Sequence, residues 1–136
     1  MKRWRLVAII IAALVAIVAL CVGIYIQIQR QAASRRGAAY QTALRSYQEA
    51  ITPGMTRADV ESDLSKKGVQ FTHIWGYNHA WADQIQIGQE PAPWYCSTQN
   101  VYIVFQFSER PNWSRDPEPA DILKSTTLIP RGEGCL

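Results

Sequence analysis

The run Ile51-Thr52-Pro53-Gly54-Met55-Thr56-Arg57-Ala58-Asp59-Val60 decides how the folded part of this chain is read. Thr52-Pro53-Gly54 stops whatever helix precedes it, because proline lacks an amide proton and glycine accepts a positive φ. A second helix starts at once. Thr56 can cap it, and Asp59 three residues on makes a capping box with aspartate in place of glutamate. Met55 and Val60 occupy the two positions of a hydrophobic staple. Val60 and Leu64 share one face, Lys66 and Lys67 suit the negative end of the helix dipole, and Gly68 closes the element. The pattern predicts a helix over Arg57–Lys67, with Gly54, Met55, Thr56, Asp59 and Val60 as its cap and turn motif.

Upstream, Tyr40, Leu44, Tyr47 and Ile51 recur at helical spacing and make one apolar stripe. Downstream the period changes to two. Val69, Phe71 and Trp75 alternate with polar or smaller residues, and Trp81 to Ile87 forms a partner strand across Gly76-Tyr77-Asn78-His79. Val101, Ile103, Phe105 and Phe107 mark the clearest strand, whose other face carries Tyr102, Val104 and Gln106. Glu109 to Pro119, with three prolines, reads as a surface loop, and Asp121 to Ile129 as a last strand stopped by Pro130. Two helices followed by about four antiparallel strands predict an α+β domain, a helical hairpin packed on one face of a small sheet.

The amino-terminal part is of another kind. Leu6 to Ile26 holds 21 residues with no charge. At about 1.5 Å rise per residue it spans roughly 30 Å, the thickness of a bilayer's hydrocarbon core. Trp4 and Tyr25 fall near its ends, where amphipathic rings prefer the headgroup layer. The segment is longer than the apolar stretch of a cleaved signal peptide, and Gln31-Ala32-Ala33 fits a cleavage site only loosely. Leu20 before Cys21 argues against a lipidated cysteine, and a pilin-type anchor would need a processing glycine and an early acid. The expected organisation is a membrane anchor over 1–30, spanning at 6–26, a juxtamembrane stretch over 31–39, and an extracytoplasmic domain over 40–136.

Charge follows this division. The 136 residues carry a formal net charge of +3. Lys2, Arg3, Arg5 and Arg30 supply four of the fourteen basic residues, and all eleven acids lie beyond position 48. From Arg35 onward ten basic residues face eleven acids, so the domain is nearly neutral. No basic, aromatic-interleaved face exists for nucleic acid. Basic residues flank the apolar segment on both sides, so charge alone does not orient it. Cysteine usage does. Cys21 falls inside the apolar helix, where it is a small apolar residue, which leaves Cys96 and Cys135 as a pair. A disulfide in an oxidising compartment is the expected reading, two buried thiols the alternative.

No reactive constellation stands out. His73 and His79, with Asp83 or Cys96, match no zinc spacing, and a surface or half-buried histidine is the plainer reading. A Cys96–histidine pair would make a thiol nucleophile only if Cys96 were unbonded. Asp59, Glu61 and Asp63 cluster on a polar helix face and are read as solvated. Asn112-Trp113-Ser114 has the form of a glycosylation acceptor. Trp75 alternates as a core residue should, whereas Trp94, Tyr95 and Trp113 sit among prolines and are the candidate partner surface. The expectation is therefore no catalytic residue, no metal and no cofactor.

From Ile51 through Val60, with Leu64 following, the chain resembles the BamE family (also called SmpA/OmlA), small bacterial envelope proteins that help assemble outer-membrane β-barrels. The likeness rests on the isoleucine, the Gly54-Met55-Thr56 triplet, and valine and leucine four residues apart. It extends over about residues 40–129, with Phe105 and Phe107 falling where the family has its apolar strand. The family's glycine and proline after the second helix are replaced by Ser65 and Lys67, and its lipidated cysteine by a spanning helix. The resemblance implies two helices on a small antiparallel sheet, as in β-lactamase inhibitory proteins. Together the readings predict a non-enzymatic module facing the periplasm from the inner membrane, bound to the bilayer through residues 6–26 and to an envelope protein partner. A ligand-binding or inhibitor-type domain on the same fold is the alternative, and a thiol enzyme a third.

Overall fold

A computed structural model of the chain describes residues 2–75, 80–108 and 116–136. Its elements are α1 (Lys2–Ala50), α2 (Arg57–Lys66), β1 (Thr72–Trp75), β2 (Trp81–Glu90), β3 (Thr98–Phe107) and β4 (Leu123–Glu133). The chain divides into two units, Met1–Ala38 and Ala39–Leu136.

In the first unit α1 is apolar all round. From Val7 to Ile28 its large side chains face outward, and its mean hydropathy peaks at 3.2. A helix of this kind buries nothing of its own surface, and it is long and apolar enough to cross a membrane. α1 runs on unbroken through the juxtamembrane stretch and Gly37 to Ala50. A single internal glycine costs a helix only about 1 kcal/mol, which the alanines and arginines around Gly37 can offset.

The second unit is an α+β domain. Its sheet is antiparallel in the order β1-β2-β3-β4. Ile51, Val60 and Leu64 from the helical side meet Ile85, Ile103, Phe105, Phe107 and Leu123 from the sheet, with Ala43, Leu44 and Tyr47 of α1 packed alongside. Each fully buried side chain of this size contributes about 1.5–3 kcal/mol. Tyr47 meets Phe105 edge to face at 6.1 Å between ring centroids. The sheet's opposite face holds a smaller cluster of Ala82, Tyr102 and Val104, with Ile74 and Ile129 against it. β3 thus buries both faces, which explains its nearly unbroken apolar run.

The Gly54-Met55-Thr56 triplet has a clear structural task. Gly54 adopts φ +98°, a conformation that favours glycine. Its amide donates to the Leu123 carbonyl at 2.9 Å, and Leu123 N–H donates back to the Met55 carbonyl at 2.9 Å. The turn is therefore stitched to the start of β4. Thr56 Oγ1 accepts from Asp59 N–H at 3.2 Å, as a cap should, and its hydroxyl donates to the Asp59 carboxylate at 2.7 Å. Thr56→Ala is expected to lower stability by about 1 kcal/mol in urea unfolding; a loss indistinguishable from zero would show that the cap does not hold α2.

Three expectations about the strands need correction. α2 ends at Lys66, and β1 starts only at Thr72, so Val69 and Phe71 pack under the sheet without belonging to it. Trp75 is 47% exposed, because it lies at the end of the short edge strand β1 rather than over the core. Pro130 does not stop β4, which continues to Glu133 with Pro130 opposite Val101. β4 is an edge strand, the place in a sheet where a missing amide proton is tolerated. β2 carries an irregularity between Gln86 and Gly88. There Tyr40 lies over Gly88 so closely that a Cβ would come within 2.6 Å of its ring, and Tyr40 donates to the Gln89 carbonyl at 3.2 Å.

Candidate functional site

Three places in the domain bring chemistry together. The first is centred on Arg57, the first residue of α2, which is 1% exposed. Its guanidinium donates from Nη1 to Asp83 Oδ1, from Nε to Asp121 Oδ2 at 3.3 Å and from Nη2 to the Trp81 carbonyl at 3.1 Å. It also lies over the Phe107 ring, 4.0 Å from the centroid. Local structure explains the placement. Arg57 N–H donates to the Asp121 carbonyl at 2.7 Å and Ala58 N–H to that of Pro119 at 3.0 Å, so the loop before β4 supplies acceptors to the start of α2.

Asp83, in β2, is wholly buried, and β1 pairing sets His73 opposite it. His73 Nδ1 lies within hydrogen-bond distance of Asp83 Oδ1, at 2.7 Å, while the ring remains 41% exposed. Asp83 Oδ2 is sealed from solvent without a hydrogen-bond partner among the described residues. Burial raises the Asp83 carboxyl above its ordinary range, against the opposing pull of His73 and Arg57. Glu61, one turn into α2, is also raised, chiefly by burial and then by the charge of Asp83. Glu61 thus departs from its reading as a solvated carboxylate, while Asp63 pairs with Lys66 at 3.4 Å. Asp59 is engaged with the Thr56 cap.

The second place is a groove of about 790 Å³ to which all four strands contribute. Ile74, Trp75, Trp81, Val104 and Ile129 give it apolar walls, and Lys124 and Arg131 are the charged residues among its described lining. Trp75 and Trp81 meet edge to face at 5.4 Å. Arg131 reaches from β4 across β3 to Gln84 Oε1 of β2 at 3.2 Å, passing the Tyr102 ring at 5.7 Å. Behind it, Tyr102 donates to Glu133. That hydrogen bond keeps the phenol protonated, raising its pKa with help from burial, and holds the Glu133 carboxyl below its usual range.

The third place is the β2–β3 connection. Cys96 and Cys135 are joined by a disulfide, 39 positions apart in sequence. With its sulfur bonded, Cys96 has no thiolate to offer a substrate. Beside the bond, Trp94 is 91% exposed and lies edge to face with Tyr95 at 5.7 Å. Leu136 N–H donates to the Tyr95 carbonyl at 2.8 Å, fastening the last residue to the same loop. Gly132, which lines the groove, runs directly beneath the disulfide: a Cβ there would come within 2.8 Å of Cys135 Sγ.

Of the residues singled out from the sequence, Cys96 and Cys135 come together, Trp94 and Tyr95 are exposed beside them, and the Gly54–Val60 motif forms the α2 cap. Trp113, His79 and the Asn112-Trp113-Ser114 triplet lie outside the described residues. Arg57, Asp121 and Glu61 were not seen as site residues, and Asp83 only as a partner for histidine. The one available signal was an arginine at the first turn of α2, where the helix dipole disfavours a cation unless carboxylates wait there. Compared with known proteins, the chain matches no family model, no curated protein and no solved structure.

Proposed function

We propose that this chain is a membrane-anchored, non-enzymatic binding module that holds an apolar, carboxylate-bearing segment of another envelope protein against its sheet. The groove carries this reading. It offers apolar walls including two tryptophans, and its described charges are both cationic, while Trp94 and Tyr95 stand exposed elsewhere on the same domain. Aromatic residues on a rigid platform are effective anchors, because little side-chain entropy is lost when a partner covers them. The disulfide supplies rigidity and supports an oxidising compartment, and so our reading of the domain as extracytoplasmic, in the periplasm of a bacterial inner membrane. The apolar helix supplies the tether, which raises the domain's effective concentration against other envelope proteins. The resemblance to BamE proteins points the same way, towards outer-membrane protein assembly.

The groove volume also lies in the range of small-molecule pockets, roughly 300–1,000 Å³, which favours a small apolar acid as the second reading. Photo-crosslinking in intact membranes separates them. Benzoylphenylalanine at position 94 or 124 should give an adduct with the same protein, and Lys124→Glu should lower the yield at position 94. No protein adduct at either position, or yields indifferent to Lys124→Glu, would remove the proposed partner and leave the small-ligand reading.

A further inference from the structure

We propose that Glu61, His73 and Asp83 form a binding site for one divalent transition-metal ion, with Arg57 as the positioning residue. Each of the three offers one donor atom, and these atoms lie within 4.8 Å of one another. In tetrahedral coordination two donors bound to zinc at about 2.1 Å stand about 3.4 Å apart, so the triangle must tighten by up to about 1.4 Å. Glu61 and His73 can supply that movement, as both are partly solvent-accessible. Asp83 is held in place by Arg57.

The buried carboxylate gives the independent indication of a cation. Arg57 and His73 both engage Asp83 Oδ1, while Oδ2 is enclosed and has no hydrogen-bond partner among the described residues. Burying a carboxylate oxygen without a donor is costly, and such an orphan is the mark of a missing partner. Arg57 is not that partner, because it divides its charge between Asp83 and Asp121. With Glu61 alongside, the cluster has a surplus of carboxylate that one divalent ion would neutralise. One imidazole and two carboxylates form a donor set suited to zinc, cobalt or manganese rather than to calcium, which prefers oxygen alone. Arg57 fixes the Asp83 carboxylate as outer-shell donors commonly do. Three protein donors on a half-exposed histidine leave coordination positions open to water or to a partner's carboxylate.

Cobalt provides the test. Full-length protein is purified in detergent without a polyhistidine tag, in a Cys21→Ser background that removes the one free thiol. It is stripped with a chelator and titrated with Co²⁺, following visible absorption. One ion per chain should bind, be displaced by Zn²⁺, and raise the unfolding temperature. Glu61→Gln and His73→Ala should each weaken binding by at least about 10-fold, the loss that even an outer-shell change produces. Asp59→Asn, on the same helix but outside the triangle, should leave the affinity unchanged. Glu61→Gln keeps the shape of the side chain, so it reports on binding whether or not His73→Ala perturbs the fold. Absence of a saturable visible band, or full affinity retained in Glu61→Gln, overturns the proposal.

Discussion

Arg57→Ala is expected to be the most damaging single substitution in the domain, lowering its stability by about 3–5 kcal/mol. The cause is what remains behind. Asp83 and Asp121, both buried, would lose their shared guanidinium, and the Trp81 carbonyl would lose a donor. Their charges cannot be solvated in place, so Asp83 would take up a proton at a pH where it is otherwise ionised. The Phe107 ring would also lose the cation over its face. Chemical denaturation of Arg57→Ala and of Arg57→Ala/Asp83→Asn separates these contributions. The double variant should recover part of the loss, since it removes one of the stranded charges. If the single variant unfolds at the parental denaturant concentration, the ion network has no structural weight. If the double variant is worse than the single by the full cost of Asp83→Asn alone, Arg57 and Asp83 are not coupled.

Why this network escaped the sequence reading, when α2 did not, follows from distance along the chain. Thr56, Asp59, Met55, Val60 and Gly68 act within one or two turns, so spacing alone reveals them. β3 was legible for a similar reason, because an interior strand buries both faces and shows it as a continuous apolar run. Arg57 meets Asp83 and Asp121 from 26 and 64 positions away, and only the assembled sheet brings them together. The groove has the same character, with walls drawn from all four strands and a shape that depends on how β4 reaches towards β2. Trp75 departs from its expected burial because alternation shows which face a residue points to, not whether anything covers that face. Pro130 does not end β4 because a proline is excluded from central strands but not from edges, and strand order is not written in local pattern.

The second large effect concerns the disulfide. Removing it by Cys96→Ser should lower stability by about 4 kcal/mol in the chain-entropy account, for a closed loop of this size. Cys135→Ser should cost a similar amount, and the double substitution no more than either alone, because one bond is lost in every case. Additive losses would show that the two sulfurs stabilise the fold separately. Reduction of the parent protein should reproduce the effect of the substitutions, and should also release the carboxyl terminus, now held by the Leu136–Tyr95 hydrogen bond beside the bridge. Trp94 fluorescence should then shift, since its loop loses the anchor that holds it.

Both β3 and β4, and the whole connection between them, lie between the bridged cysteines. A protease that nicks the backbone anywhere in that interval creates two polypeptides but no separable pieces: the severed part stays covalently joined to the rest. The two strands keep their hydrogen-bonded ladder and can re-register without diffusing apart. In a compartment exposed to endopeptidases, a clipped molecule of this design can go on presenting the same surface as an intact one.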